Sequence, residues 1–300
     1  MAMALALRLA TDAEKIQRDH VTFPEWGTRL TLDQYLERER VLREHPFSRG
    51  MRTWLLVDGG DVLGSCETFD NVSRVGSAAG TSWSIASVYV EEQFRGRGYA
   101  SRLMDLLGVE AERQGRQACV LFSDVGLRIY ERAGFVAVPA TTDWVLAPRE
   151  AEVPACDTWV PSLGEPPAKV LQLDPTTEQL DWAHARERLY AKFLSRRAPA
   201  VHSAAVGDAR ATWAAYFKAN ELIVLWLQVG SADDTAAVLD VARAEAHRCG
   251  LERVRLWAPD GAAPPPAAAA ENRKDELPMV RACAPHRIES WRQVQRALWV

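Results

Sequence analysis

The apolar positions between residues 83 and 138 alternate between two spacings. A mostly apolar run, Trp83 to Val90, predicts a buried strand. Residues 98–114 follow with apolar positions at helical spacing, which are Tyr99, Leu103, Leu106, Leu107 and Ala111. Two further apolar stretches, 118–122 and 135–138, flank a short helix that carries Tyr130. The order strand, helix, strand, short helix, strand predicts an α/β fold with a mixed sheet.

A similar order recurs in the second half of the chain. Residues 176–195 predict a helix, 221–229 a buried strand, 233–249 a helix and 253–257 a strand. This repeats the strand–helix–strand order of residues 83–122 and predicts two related halves. The alternative is an unrelated α/β domain with a purely structural role.

Proline-rich stretches predict where the chain divides. Between residues 148 and 168 the prolines are Pro148, Pro154, Pro161, Pro166 and Pro167. This density predicts a linker, so we predict a catalytic domain over 1–150, a linker over 151–168 and a C-terminal domain over 169–300. A second stretch, 258–270, contains three consecutive prolines and predicts a surface loop.

The composition is typical of a globular protein. Hydrophobic residues make up 48% of the 300 residues, charged residues make up 25%, and the net charge is −4. The chain therefore lacks the overall basic field of a nucleic-acid-binding protein. It also lacks an apolar run of the ~20 residues that cross a membrane. We expect neither kind of partner, and the apolar start, Met1 to Leu7, lacks the features of a signal peptide.

The cysteines give no indication of disulfides or of a metal site. There are five, Cys66, Cys119, Cys156, Cys249 and Cys283. None forms a C-x-x-C pair, and no Cys/His spacing is typical of zinc. We expect free thiols in the reducing cytoplasm and no bound metal.

The segment between the first strand and its helix has a pattern suited to an anion. The pattern is Gln93-x-x-Gly96-x-Gly98, and its glycines let backbone N–H groups approach a ligand. A helix N-terminus carries partial positive charge, which suits a pyrophosphate. Arg95 and Arg97 add cationic side chains. One alternative is a turn that only starts the helix. Another is a dinucleotide-binding turn, whose third glycine would fall at Ser101.

Together with a second motif, Tyr130-Glu131-Arg132-Ala133-Gly134-Phe135, this turn resembles the GCN5-related N-acetyltransferase (GNAT) superfamily. The resemblance implies the GNAT fold, acetyl-CoA as co-substrate, and Tyr130 as the acid that protonates the departing CoA thiolate. It also implies a pyrophosphate site formed by Arg95, Gly96, Arg97, Gly98, Tyr99 and Ala100. Ser123 stands where the superfamily often has an asparagine that makes a secondary CoA contact.

Short motifs throughout the chain look like the fungal LYC1-type lysine acetyltransferases. They include Glu25-Trp26-Gly27, Ser65-Cys66-Glu67-Thr68, Asp181-Trp182-x-His184-Ala185-Arg186-Glu187 and Arg273-x-Asp275-x-Leu277-Pro278. This resemblance implies acetylation of the side-chain amine of free lysine, the first step of a lysine catabolic route. We predict that the second half is a degenerate GNAT-like domain that closes over the substrate side. Asp233 and Asp234 begin its helix and would repel a pyrophosphate, so we predict that it binds no CoA.

Acetyl transfer from a thioester to an amine has chemical requirements of its own. The thioester carbonyl must be polarised, and we predict that backbone N–H groups of Val88, Tyr89 and Val90 do this. A base or a water chain must take a proton from the amine. An acid assists the departing thiolate, for which Tyr130 is the candidate. The alternative for Tyr130 is a half-buried core aromatic.

Two carboxylates lie near the predicted site. Glu67 ends a predicted strand, 62–68, and is a candidate for substrate contact or for general base. Its alternative is an ordinary surface carboxylate. Asp124 is predicted to cap the helix that follows it.

Four further residues are candidate substrate contacts, and these are Trp26, Trp182, His184 and Arg186. The two tryptophans suit the aliphatic stem of lysine, although core packing is their alternative. An arginine suits an α-carboxylate, and Arg210 is the alternative to Arg186. A lone helical histidine such as His184 is more often structural.

These observations lead to three hypotheses for function. The first is an acetyl-CoA-dependent N-acetyltransferase acting on the side-chain amine of free L-lysine. The second is an N-acetyltransferase for another amino acid, a polyamine, an aminoglycoside or a protein lysine. The third is a catalytically inactive acetyl-CoA-binding sensor. The sequence indicates no oligomeric state.

Overall fold

The structure, a computed structural model, describes residues 5–139, 141–151 and 159–300. The helices of this part are α1 Asp12–Trp26, α2 Leu32–Glu44, α3 Tyr99–Arg113, α4 Arg128–Glu131, α5 Thr177–Phe193 and α6 Ala232–Arg248. The first strands are β1 Ala6–Leu9, β2 Arg52–Asp58, β3 Asp61–Val75, β4 Ala78–Val90, β5 Ala118–Ser123, β6 Val136–Ala137, β7 Thr142–Leu146 and β8 Val170–Leu173. The remaining strands are β9 Ser203–Val206, β10 Ala209–Tyr216, β11 Glu221–Gln228, β12 Arg253–Trp257, β13 Ala269–Asn272, β14 Leu277–Ala282 and β15 Ser290–Trp291.

The first sheet is mixed and has the order β1-β2-β3-β4-β5-β14-β6, with β8 paired to the end of β3 and β15 paired to β8. Strands β4 and β5 are parallel and are connected by α3. Helix α3 packs on the sheet because its apolar residues recur every three to four positions. Those that are fully buried are Leu103, Met104, Leu107 and Ala111. Each such leucine contributes roughly 1.5–3 kcal/mol to folding.

The second sheet repeats the arrangement of the first. Its order is β13-β7-β12-β11-β10-β9, and β11 and β12 are parallel and connected by α6. The predicted repetition of strand, helix and strand is therefore confirmed, and with it the mixed α/β fold. Here the helix begins at Ser231, whose hydroxyl accepts a hydrogen bond of 3.1 Å from the backbone N–H of Asp234.

The two sheets exchange strands. Strand β14, from the second half, lies between β5 and β6, with Val280 opposite Val120. Strand β7, from the first half, lies between β12 and β13, with Trp144 opposite Leu256. Each sheet therefore contains a strand from the other side of the predicted linker, so each half of the chain completes the sheet of the other. The division at 151–168 stays a prediction, and its residues 152–158, with Cys156, lie outside the described residues.

Two local predictions were wrong. Strand β3 does not end near Thr68 but continues to Val75, because its distal part pairs with both β4 and β8. Asp124 does not cap α4, which has no side-chain cap. Its carboxylate instead accepts a hydrogen bond of 3.0 Å from the backbone N–H of Glu276, so it joins the two halves of the chain.

No helix within residues 5–139, 141–151 and 159–300 has the length and apolar character needed to cross a membrane. The same residues contain no group of three or more His, Cys, Asp or Glu side chains placed to hold a metal ion.

Candidate active site

A cleft of about 1330 Å³ opens where β4 and β5 separate. The two strands pair only from Trp83 to Ile85 on β4, opposite Cys119 to Leu121 on β5. Beyond Ile85, β4 continues for five residues without a partner on the β5 side. Its backbone N–H and C=O groups on that edge are therefore available to a ligand.

A β-bulge interrupts β4 at the wall of this cleft. Ser65 pairs with Tyr89 and Glu67 pairs with Ala86, so β4 has one extra residue between these pairs. Ser87 lies in the bulge with a φ of 53°, in the left-handed region that a non-glycine residue rarely adopts. The bulge leaves Val88 without a partner on β3. Val88 belongs to the stretch of β4 whose backbone N–H groups are predicted to polarise the thioester carbonyl.

The glycine turn follows β4 and starts α3. Gly96 has a φ of 77° and Gly98 a φ of 81°, and a Cβ atom at either position would meet no atom within 4 Å. Gly98 is the N-cap of α3 and supplies no side chain to its first turn. The turn therefore presents uncapped backbone N–H groups at the positive end of a helix, which is an arrangement suited to a phosphate group.

Tyr130 is a buried residue of α4. Its position is set by α4 and by Phe135, whose ring centroid lies 6.1 Å from that of Tyr130. Burial, together with the nearby carboxyl of Asp124, raises the pKa of Tyr130 to about 12. The tyrosine therefore stays protonated at neutral pH and lines the same cleft as the glycine turn.

Glu67 is half-buried on β3 and lines the cleft opposite the β4 bulge. The hydroxyl of Ser87 donates a hydrogen bond of 3.0 Å to its carboxylate. Burial raises the pKa of Glu67 to about 7, and the charge of Glu39 adds to the increase. A carboxylate with this pKa can exchange a proton near neutral pH.

Helices α1 and α2 cover Glu67 with charged side chains. Asp19 and Glu39 both line the cleft, and Arg43 donates two hydrogen bonds to Asp19, of 2.8 and 3.1 Å. Glu39 is paired with Arg38. Burial raises the pKa of Asp19. This end of the cleft thus combines three carboxylates with two guanidinium groups.

Another part of the cleft lining, its aromatic end, comes from the second half of the chain. Trp182 and Arg186, on α5, both line it. The guanidinium carbon of Arg186 lies 5.0 Å from the ring centroid of Trp182. Trp26, from α1, lines the cleft as well, and its ring centroid lies 6.1 Å from that of Tyr89.

Comparison with known protein families identifies the family to which this chain belongs. Residues 49–137 match the acetyltransferase (GNAT) domain, and residues 164–298 match the LYC1 GNAT-like C-terminal domain. The chain belongs to the GNAT superfamily. A lysine acetyltransferase of Yarrowia lipolytica is 26% identical, and the similarity covers 84% of each protein. The resemblance inferred from the motifs is confirmed, and the protein is an N-acetyltransferase that uses acetyl-CoA.

Solved structures agree on the fold. A probable N-acyltransferase of Enterococcus faecalis matches with a TM-score of 0.58 and 11% identity, covering 93% of this chain and 72% of the other. A GCN5-related N-acetyltransferase of Anabaena variabilis matches with a TM-score of 0.56 and 13% identity, covering 93% and 73%. At these identities the comparison shows the GNAT fold alone.

The residues of this GNAT protein fit the co-substrate. The uncapped first turn of α3 suits a pyrophosphate, and the open edge of β4 suits an extended chain with amide groups. When bound, acetyl-CoA supplies the acetyl group to be transferred. Arg95, at the turn, donates a hydrogen bond of 3.1 Å to the backbone carbonyl of Val90 and one of 2.9 Å to Glu25.

Most predicted site residues of the GNAT protein lie together in the cleft. The lining includes Trp26, Glu67, Val88, Tyr89, Val90, Arg95, Gly96, Gly98, Tyr99, Ala100, Tyr130, Trp182 and Arg186. Their roles in binding and catalysis stay predictions. Their proximity follows from the β4–α3–β5 unit together with α1, β3, α4 and α5.

Three predicted residues are not brought to the cleft lining. The hydroxyl of Ser123 donates a hydrogen bond of 2.5 Å to the carbonyl of Gly126, within its own turn. His184 is buried against the second sheet, with its ring nitrogen 3.0 Å from the carbonyl of Trp213. Arg97 is exposed, with its guanidinium over the ring of Phe94. We therefore leave these three out of the proposed contacts.

Several cleft residues were not predicted from the sequence. Ser87, which supports Glu67, gave no local signal because a left-handed serine depends on the bulge around it. Lys218 follows β10 and lines the cleft from the second half. Nothing in its flanking sequence distinguishes it from a surface lysine, so only the tertiary structure reveals its position.

Proposed function

We propose that this protein transfers the acetyl group of acetyl-CoA to the side-chain amine of free L-lysine. The observation that carries the proposal is the position of Glu67, whose carboxylate lies in the cleft that also holds the glycine turn and Tyr130. The similarity to the Yarrowia lipolytica lysine acetyltransferase supports lysine as the acceptor.

Glu67 acts as the general base in this proposal. An amine attacks only in its neutral form, so the ammonium group of lysine must lose a proton in the site. A carboxylate with a pKa near 7 accepts that proton and can release it again at neutral pH. The carboxylates of Asp19 and Glu39 are each paired with an arginine, whereas Glu67 forms no ion pair with a described residue and is available to the ammonium group.

Tyr130 acts as the general acid. Its raised pKa keeps the phenol protonated, so it holds a proton for the departing thiolate. Because burial disfavours a free tyrosinate, the proton must return to Tyr130 from solvent or from the substrate amine before the next turnover.

The β4 bulge contributes electrostatic stabilisation. Val88 and its neighbours lie in the stretch of β4 that has no partner on the β5 side, and their backbone N–H groups can donate to the acetyl carbonyl oxygen as charge develops there. Such donors are already oriented, so they need no reorganisation during the reaction. Trp26 and Trp182 form apolar walls for the aliphatic stem of the substrate.

The test is a panel of free amines with acetyl-CoA, in which release of the CoA thiol is followed and the product is analysed by mass spectrometry. We expect L-lysine to give the highest kcat/KM, with the acetyl group on the side-chain nitrogen. The panel includes L-ornithine, spermidine, an aminoglycoside and a lysine-containing protein. Preference for any of these over L-lysine would overturn the lysine assignment and leave the acetyltransferase activity in place.

A further inference from the structure

The aromatic end of the cleft carries excess positive charge. Arg186 and Lys218 line it, and Arg38 lines the same cleft. Arg38 is neutralised by its ion pair with Glu39. Arg186 and Lys218 form neither a hydrogen bond nor an ion pair with any residue that the structure describes. Both side chains are half-buried, and a partly desolvated charge without a partner is costly, so this region is suited to an anion.

Arg186 is held by aromatic rings instead of by a carboxylate. Its guanidinium carbon lies 5.0 Å from the ring centroid of Trp182, 5.5 Å from that of Tyr216 and 4.8 Å from that of Trp299. These rings fix the guanidinium and exclude water without cancelling its charge. Burial lowers the pKa of Arg186 to about 10, which leaves it charged at neutral pH.

Lys218 shares the electrostatic environment of Arg186. Burial lowers its pKa, and the positive charges of Arg38 and Arg186 lower it further. The carboxylate of Asp124 opposes this effect but forms no ion pair with the lysine. An anion bound between Arg186 and Lys218 would relieve the repulsion between them.

Trp182 adds an unused hydrogen-bond donor. Its side chain is 7% exposed, and its indole N–H has no hydrogen-bond partner within the described part of the chain. A buried donor without a partner costs about 1–3 kcal/mol. Its neighbour across the cation–π contact is Arg186, so the donor and the charge lie on the same wall of the cleft.

We propose that Arg186 and Lys218 form a carboxylate-binding subsite that makes this enzyme select acceptors with a free carboxylate. Arginine binds a planar carboxylate with two parallel hydrogen bonds, and lysine adds a third donor with a second positive charge. The class of acceptor is then the amino acid, held by its carboxylate at the aromatic end while its amine lies at the Glu67 end. This inference deepens the proposed function and rests on it.

The first experiment compares acceptors that differ only in the carboxylate. L-lysine, L-lysinamide and cadaverine carry the same side-chain amine with and without this group. We expect kcat/KM for L-lysine to exceed that for each of the other two by about 10-fold or more, from the loss of charged hydrogen bonds. Equal values for all three would overturn the subsite while leaving acetyl transfer intact. A glycyl-lysine dipeptide separates free amino acids from peptide C-termini, and a value near that of lysine would contradict the amino-acid class.

The second experiment uses variants. Arg186→Met and Lys218→Met should each lower kcat/KM for L-lysine by about 10-fold or more while leaving cadaverine unaffected. Arg186→Lys should recover part of the loss. The matched control is Arg210→Met, because Arg210 does not line the cleft, and it should match the wild type. Equal losses for lysine and cadaverine, in variants that unfold at the same temperature as the wild type, would show that the two residues do not recognise the carboxylate and would overturn the assignment.

A binding measurement keeps the two proposals distinguishable. Norleucine, in which a methyl group replaces the side-chain aminomethyl group of lysine, has no side-chain group that can accept an acetyl group but keeps the carboxylate. Calorimetry should detect its binding to the wild type and to Arg210→Met, with affinity reduced about 10-fold or more in Arg186→Met. This result without any lysine acetylation would retain the subsite and overturn the proposed function. Equal affinity in all three proteins would overturn the subsite.

Discussion

The hydroxyl of Ser87 donates a hydrogen bond to the carboxylate of Glu67, 3.0 Å away, across a bulge in the central strand pair. The bulge turns Ser87 into the left-handed region, with a φ of 53°, and this conformation brings its side chain to β3. One irregularity in the backbone therefore does two things. It supports the proposed base and removes Val88 from the β3 ladder.

The pH dependence of the reaction tests the role of Glu67. The carboxylate must be ionised to accept a proton, and its pKa is about 7. We therefore expect kcat/KM to rise with pH through a midpoint near 7. Glu67→Gln should lower kcat/KM by about 10²-fold and remove this midpoint. Glu92→Gln, at an exposed position on the neighbouring turn, serves as the control. A midpoint that persists in Glu67→Gln would contradict the assignment.

Replacement of Ser87 should move the same midpoint. The Ser87 hydrogen bond stabilises the ionised carboxylate and lowers the pKa of Glu67, so its loss should raise the midpoint by about one pH unit. Ser87→Gly removes the hydroxyl and tolerates the positive φ, whereas Ser87→Ala removes it and strains the bulge. Both variants should shift the pH profile. A shift in the alanine variant alone would assign the effect to the backbone.

Tyr130→Phe should separate chemistry from binding. The phenylalanine keeps the ring contact with Phe135 and removes the proton donor. We expect kcat to fall by about 10²-fold, with the dissociation constant for CoA unchanged. Single-turnover kinetics and equilibrium binding measure the two quantities. A kcat close to that of the wild type would contradict the catalytic role and indicate that Tyr130 is a core aromatic residue.

Two glycines with similar conformations test the pyrophosphate site. Gly98 has a φ of 81° and Gly115 a φ of 68°, and a Cβ atom at either would meet no atom within 4 Å. Replacement by alanine should therefore cost a similar 1–2 kcal/mol of stability at both positions, roughly the cost of a left-handed conformation. Only Gly98→Ala should weaken CoA binding, because Gly115 follows the other end of α3. Equal CoA affinity in both variants would exclude the turn as the phosphate site.

Glu276 connects the exchanged strands and should contribute stability that depends on pH. Burial opposes its ionisation, but Arg296 and Arg255 hold its pKa at about 2. Arg255 also pairs with Asp143 and Glu221, so the network joins both halves of the chain. Because the folded-state pKa lies below the unfolded value of about 4.3, this stability is present above about pH 4 and is lost as the pH falls towards 2.

Glu276→Gln should therefore reduce the free energy of unfolding at pH 7 by about 3–5 kcal/mol, because it leaves buried guanidinium charge uncompensated. The difference from the wild type should shrink as the pH approaches 2. Urea unfolding at several pH values measures both effects. Glu44→Gln, which removes an exposed ion pair with Arg40, should change stability by less than about 1 kcal/mol.

The sequence by itself determined the β4–turn–α3–β5 unit, its repetition in the second half, and the positions of the glycine turn and Tyr130. These features depend on residues that are close along the chain. Apolar spacing selects strand or helix, glycine permits the turn, and the helix N-terminus supplies the charge.

The tertiary structure alone decided the exchange of β7 and β14, the bulge at Ser87, and the placement of Arg186 and Lys218 in one cleft. It also removed Ser123 and His184 from the cleft lining, although each lies in a motif with a predicted site role. The physical reason is that strand partners and side-chain environments are set by contacts between distant segments. Those contacts form only when both sheets are assembled, so no local pattern encodes them.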